Sequence, residues 1–219
     1  MEANVMKETS PLIVGILHIH KVITRGLTTS LSKCDEYLSK QGITQGETEG
    51  FSLYLKTLMS ILHAHHLSED EIAFPYFKTK IKAPFDQLED DHRTMAQLLI
   101  NLEKCLLDLS QDGIHNLSDV LTTLNKIWGP HIKIEEENFT GEKLLAVAGF
   151  KEQLEITKSL TSHGMKNSGP GPLTVPFLFY NLEGSDREAF MMNFPWIVKK
   201  VLVPFVWRGK WKPISKFFI

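Results

Sequence analysis

Apolar side chains recur along this chain in alternating steps of three and four residues, the spacing that lines one face of an α-helix. Four segments carry such stripes. The first runs through Ile13, Ile16, His20, Ile23, Leu27, Leu31, Cys34 and Leu38, and the second through Phe51, Leu55, Leu58, Leu62, His65, Glu69, Ile72 and Tyr76. The third runs through Phe85, Leu88, His92, Met95, Leu99, Leu102 and Leu106, and the fourth through Leu117, Leu121, Leu124, Trp128, His131 and Glu135. Breaks are expected at 41–49, with its two glycines, at 78–84, which ends in a proline, and at the Asp-Gly of 111–115. Short connections make the helices antiparallel neighbours. The pattern predicts an all-α, up-down four-helix bundle.

Beyond the fourth stripe the pattern weakens. Gly141 is read as the end of the fourth helix and 143–160 as a fifth, while GMKNSGPGP at 164–172 reads as a linker rather than a helix. Ser185 and Glu188 form a capping-box pattern that predicts a short helix starting there. The chain therefore divides into a bundle with a fifth helix over 10–163 and a helical and irregular C-terminal extension over 164–219 that packs on it.

Each apolar stripe is interrupted at one level, and by the same residue types. His20 interrupts the first, His65 and Glu69 the second, His92 the third, and His131 and Glu135 the fourth. A lone histidine on such a stripe is usually a hydrogen-bonded core residue, and a lone His-x-x-x-Glu is often a surface pair. Six such residues on four inward faces are harder to explain that way, because an unpaired buried charge costs several kcal/mol. A metal cluster removes that cost, since it requires neutral imidazoles and ionised carboxylates. Mixed imidazole and carboxylate ligands suit iron and manganese, and zinc less distinctively.

The block HHLSEDE at 65–71 parallels HIKIEEE at 131–137, and each follows a helix carrying one inward histidine. Two such halves facing each other would build a dinuclear site, with Glu69 and Glu135 as natural bridges. His18, about 200° around the helix from His20, should face away. His66, Asp70 and Glu136 lie one step off the stripe and are expected to flank the ligands. Asp70, Glu89 and Asp91 are candidate partners for the outer ring nitrogens. Gly129-Pro130 directly precedes His131 and is read either as a kink that positions it or as a tolerated bend.

These motifs resemble the hemerythrin-like HHE cation-binding family, over roughly residues 10–160. The family pattern of a histidine, HxxxE, a histidine and HxxxE on successive helices falls on His20, on His65 with Glu69, on His92, and on His131 with Glu135. The resemblance implies two non-haem iron ions, oxo- or hydroxo-bridged, able to bind oxygen; manganese and zinc are the weaker candidates. The respiratory oxygen carriers of the family have a second histidine four residues after the helix-three one, where this chain has Ala96, and an aspartate where it has Glu136. One histidine fewer would leave one iron more open, which suits activation of O2 or peroxide more than oxygen carriage. Glu89 with His92 is the single Glu-x-x-His match, too few for the ferritin-like pattern.

Composition narrows the alternatives. The net charge of −2 gives no global basic field, so nucleic acid is not expected as a partner. Cys34 and Cys105 are far apart and read as two reduced thiols, and neither a leader at the N-terminus nor a membrane-spanning run is recognised. A cytoplasmic location is therefore expected. The extension ends in the basic, aromatic run FPWIVKKVLVPFVWRGKWKPISKFFI. It is read as a lid shaping a pocket, or as a membrane-surface or protein contact. Two functions follow: an oxidoreductase acting on O2 or peroxide, with a small organic substrate in a cavity between tail and bundle, or a non-enzymatic oxygen or iron binder or sensor with only a small dry pocket.

Overall fold

The computed structural model describes residues 10–40 and 42–218; the N-terminal stretch in which no leader is expected lies almost wholly outside them. Four helices form the bundle: α1 (Pro11–Ser39), α2 (Gln45–Ser68), α3 (Phe85–Cys105) and α4 (Gln111–Asn138). They run up, down, up and down, with α1 against α2 and α4, and α3 against α4. No strand occurs among the described residues. Ser10 and Ser110 cap α1 and α4 by accepting from the amides of Ile13 and Gly113. No helix among the described residues is long and apolar enough to cross a membrane.

The stripes of the third and fourth helices are buried throughout. That of the second holds only as far as Glu69. From Glu69 to Ala73 the backbone widens into a π-type turn, where the Phe74 amide donates to the Glu69 carbonyl, before one α turn over Phe74–Phe77. Pro75 follows directly, and the wider turn accommodates a residue that cannot donate and would clash in a regular helix. The extra residue rotates the phase. Ala73, Phe74 and Phe77 therefore turn inward in place of the expected Ile72 and Tyr76.

Several boundaries differ from the sequence expectation. Gly113 lies in the first turn of α4, which Ser110 caps, rather than in a break, and a glycine suits it because the Asp108 carbonyl packs where a Cβ would be. Gly141 starts a helix, α5 (Gly141–Val147), capped by Thr140, rather than ending α4. The helix expected over 143–160 is split at Ala148 and Gly149: its main part, α6 (Phe150–Asn167), lies against α1 and α2 and includes Gly164–Asn167. A helical glycine costs only about 1 kcal/mol, and Met165 packs against the core. The true linker is shorter, with Gly169 at φ 86. Helix α4 runs unbroken through Pro130.

The extension forms α7 (Gly171–Tyr180), α8 (Gly184–Met192), a π-type helix α9 (Val198–Val206), α10 (Arg208–Trp211) and a final 3-10 turn (Lys212–Phe217). Helix α8 begins after Glu183 without the expected Ser185–Glu188 box. The extension packs mainly on the first half of α2: Phe217 meets Phe51 and Tyr54, and Phe177 meets Tyr54.

Two apolar clusters fill the bundle. One contains Ile23, Leu58, Leu62, Met95, Leu124 and Trp128, and the other Leu12, Phe74, Phe77, Phe85, Phe139 and Leu144. Each buried apolar side chain stabilises by ~1.5–3 kcal/mol, enough in aggregate to offset one polar layer lying between the clusters.

Candidate metal centre

That layer contains His20, His65, His66, Glu69, His92, His131 and Glu135. All but His65 are buried, and its side chain is only 8% exposed. Their donor atoms form two groups, each with all atoms within 4.8 Å of one another: His20, His65, Glu69 and Glu135 in one, and His66, Glu69, His92 and His131 in the other. Glu69 belongs to both. Its Oε1 is 3.5 Å from His65 Nε2 and its Oε2 3.6 Å from His92 Nε2. Glu135 also spans the layer, with Oε2 3.1 Å from His20 Nε2 and Oε1 3.5 Å from His131 Nε2.

The inner atoms are not satisfied by each other. His20 Nε2, His65 Nε2, His66 Nε2, Glu69 Oε2 and both Glu135 oxygens are buried without a hydrogen-bond partner in usable geometry. The Nε2 atoms of His92 and His131 face each other at 3.1 Å. Orphaned buried groups of this kind are rare and costly, and here they are convergent lone pairs, the donor set a hard or borderline cation takes.

The outer nitrogens of three of the five rings are served by carboxylates. His92 Nδ1 is 2.8 Å from Asp70, His20 Nδ1 2.9 Å from Glu136, and His131 Nδ1 3.4 Å from Asp91. A carboxylate at Nδ1 makes that nitrogen the donor and leaves the Nε2 lone pair pointing inward, the usual support for a ligating histidine. Of the expected flanking acids, Glu89 does not take part; it pairs with Lys78 at the surface. His18 faces away from the cluster, as its phase requires, toward Asp186 and Phe190 of α8.

His66 departs from its expected flanking position and lies inside the cluster. An inward-facing helix arc spans about 100°, the angle between successive residues, so His65 can face α1 while His66 faces α3. His66 has a counterpart by repeat position in Ile132, which is only half-buried, so the two halves are not symmetric here. Counting inward imidazoles rather than matching the helix-three motif would have found His66. Trp128 roofs the layer: it packs edge-on to His20 and nearly parallel to His131, and its indole N–H donates to Thr24 at 2.9 Å. Phe74 stacks on His92 from the other side.

Burial and neighbouring imidazoles hold His65 and His66 well below the usual histidine range. Burial pulls His20 the same way, but Glu135 and Glu136 outweigh it and lift it. Burial, then Glu135 and Asp70, push Glu69 well above the carboxylate range. Burial also works against ionising Glu135, yet His131 and His20 draw it below that range. Two carboxylates sharing one dry site are split in this way, and a cation between them favours ionisation of both.

A cavity of about 10 Å³, room for one water-sized molecule, touches the layer. Glu69 and Glu135 border it on one side and Phe74, Phe77, Phe139 and Leu144 on the other. Its lining comes from the bundle and α5, so the extension does not shape it as a lid would.

The hemerythrin HHE cation binding domain matches residues 12–141. The chain belongs to that family, a class of helical, cation-binding proteins, and the buried His/Glu layer is its candidate cation site. No curated protein and no solved structure matches the chain.

Proposed function

We propose that the chain is a non-haem diiron protein that binds O2 or peroxide at its buried His/Glu layer, beside Glu69 and Glu135. The observation that carries this reading is the sharing of Glu69 between two buried sets of donor atoms, one completed by His20, His65 and Glu135 and the other by the imidazoles of His66, His92 and His131. His20, His65, Glu69 and Glu135 would hold one ion, and His66, Glu69, His92 and His131 the other. His66 then supplies the fifth imidazole that Ala96 does not. Bound iron supplies a redox couple and an open coordination position. The protein's own part is to hold the rings by Asp70, Asp91 and Glu136, to exclude water with Trp128 and Phe74, and to admit a very small ligand.

The proposed chemistry is oxidoreductase-type, acting on O2 or peroxide rather than on an organic substrate. The size of the cavity supports this restriction, and it equally favours a second reading, oxygen or iron binding and sensing without turnover. Iron content and the optical spectrum of the reconstituted protein test the centre: two irons per chain and an oxo-bridge absorption are expected on oxidation. A single iron, or none, would overturn it. Peroxide decomposition measured on the same sample separates the two readings.

A further inference from the structure

The extension carries a surface that the cation site does not explain. In α9 the π-type turn returns to one face after four or five residues. Val203 points inward, 1% exposed, against Val175 and Phe179. The opposite face carries Ile197, half-exposed Val201, Phe205 and Val206. Phe205 is 72% exposed and Val206 62%, and the preceding Trp196 is 66% and Met192 74% exposed. These are large apolar side chains left in water at one end of an otherwise well-packed extension, and clustered exposure of this kind marks a contact surface.

The charge around it is of one sign. From 189 to 219 the sequence holds six lysine and arginine residues and no acid, although the whole chain carries −2. Lys200, Arg208 and Lys210 border the apolar face, and none has an ion-pair partner among the described residues. Of the three tryptophans in the same stretch, Trp196 is exposed on this face, whereas Trp207 and Trp211 pack inward and anchor it. Tryptophan favours the boundary between headgroups and acyl chains, and lysine and arginine extend past it to phosphate. A second copy of the chain is disfavoured as occupant, because a two-fold contact would set this basic rim against itself.

We infer that the face formed by Trp196, Ile197, Phe205 and Val206 docks on an anionic lipid surface, inserting its apolar side chains while the flanking cations meet the headgroups. The chain would be held peripherally.

Sedimentation of the full, iron-loaded chain with vesicles tests this. Phosphatidylcholine vesicles containing phosphatidylserine should carry the protein down, phosphatidylcholine alone much less, and added salt should release it. Replacing Trp196 and Phe205 together by serine should lower partitioning about tenfold or more. The pair Lys200→Glu and Lys210→Glu should do the same with anionic vesicles, while helix content and iron content stay at wild type. Absence of sedimentation, or sedimentation indifferent to both pairs, overturns the inference. So does a dimer that the serine pair dissociates, which would assign the face to a second copy. Salt-sensitive capture by an acidic protein without any vesicle binding would likewise overturn it.

Discussion

The imidazoles of His66 and His92 stack with their centroids 4.0 Å apart and their planes 17° from parallel, which places a residue of α2 beside the histidine of α3. His131 closes the same group, its ring centroid 5.4 Å from that of His66. This group thus draws imidazoles from three helices, although α3 itself contributes only one.

This arrangement gives His66→Ala a specific outcome. Iron should fall from two ions per chain toward one, with the oxo-bridge absorption lost, since the group formed by His20, His65 and Glu135 stays intact. His18→Ala, on the outer face of α1, should keep both ions. Metal analysis of the two variants side by side checks this, and full occupancy in His66→Ala would remove His66 from the ligand set.

Glu69 is common to both groups, so Glu69→Ala should lose more metal than any single histidine substitution, approaching none. Glu69→Ala also removes a carboxylate that is costly to bury ionised without a cation. The metal-free variant should therefore be as stable as the metal-free parent, or more so. Thermal melts in chelator, set against iron content, separate a ligand role from a structural one.

The carboxylates behind the rings predict a graded effect. Asp70→Asn, Asp91→Asn and Glu136→Gln each weaken the orientation of one imidazole, and each should lower metal affinity by about 10–100-fold. Glu89→Gln, whose parent residue pairs with Lys78, should leave affinity unchanged. Chelator competition gives the four values.

The contrast between Glu89 and His66 shows what the sequence can and cannot convey. Periodicity placed the inward faces of α3 and α4 correctly, because those helices are regular and each apolar step maps to a fixed angle. It failed after Glu69, where the π-type turn adds a residue and exchanges Ile72 and Tyr76 for Ala73, Phe74 and Phe77. Nothing in the hydrophobic spacing encodes that turn, although Pro75 hints at it. His66 escapes the stripe for a related reason: an inward arc is wide enough for two adjacent residues, and a single line of positions at steps of three and four holds only one. Which acids serve the rings depended on helix rotation to within tens of degrees, finer than sequence spacing resolves.

Two glycines in α4 should respond oppositely to alanine. At Gly113 the new Cβ would collide with the Asp108 carbonyl, and backbone cannot yield cheaply, so Gly113→Ala should destabilise by about 1–3 kcal/mol. At Gly129 nothing lies within 4 Å, and Gly129→Ala should stabilise the helix by up to about 1 kcal/mol. Denaturant unfolding of both variants in the metal-free form reads these effects without a contribution from metal affinity.

Metal binding should also depend on pH in a direction that the site fixes. In the metal-free protein burial pulls His20 down, but Glu135 and Glu136 outweigh it and lift it above its ordinary value. Glu69 is pushed well above the carboxylate range by burial and by Glu135 and Asp70. Both hold a proton where an exposed residue would have begun to lose it, and a cation needs both deprotonated. His65 and His66, held low by burial, are already neutral and release nothing. As pH falls, protons compete at His20 and Glu69, so apparent affinity should fall, by up to about 100-fold per pH unit where both protons are displaced. Loading the metal-free protein in weak buffer near pH 6 should therefore acidify the solution, and Glu136→Gln, which removes one source of the lift on His20, should reduce the proton yield at neutral pH. A proton yield of zero, with affinity flat across the acidic range, would show that these two side chains are not displaced by the cation.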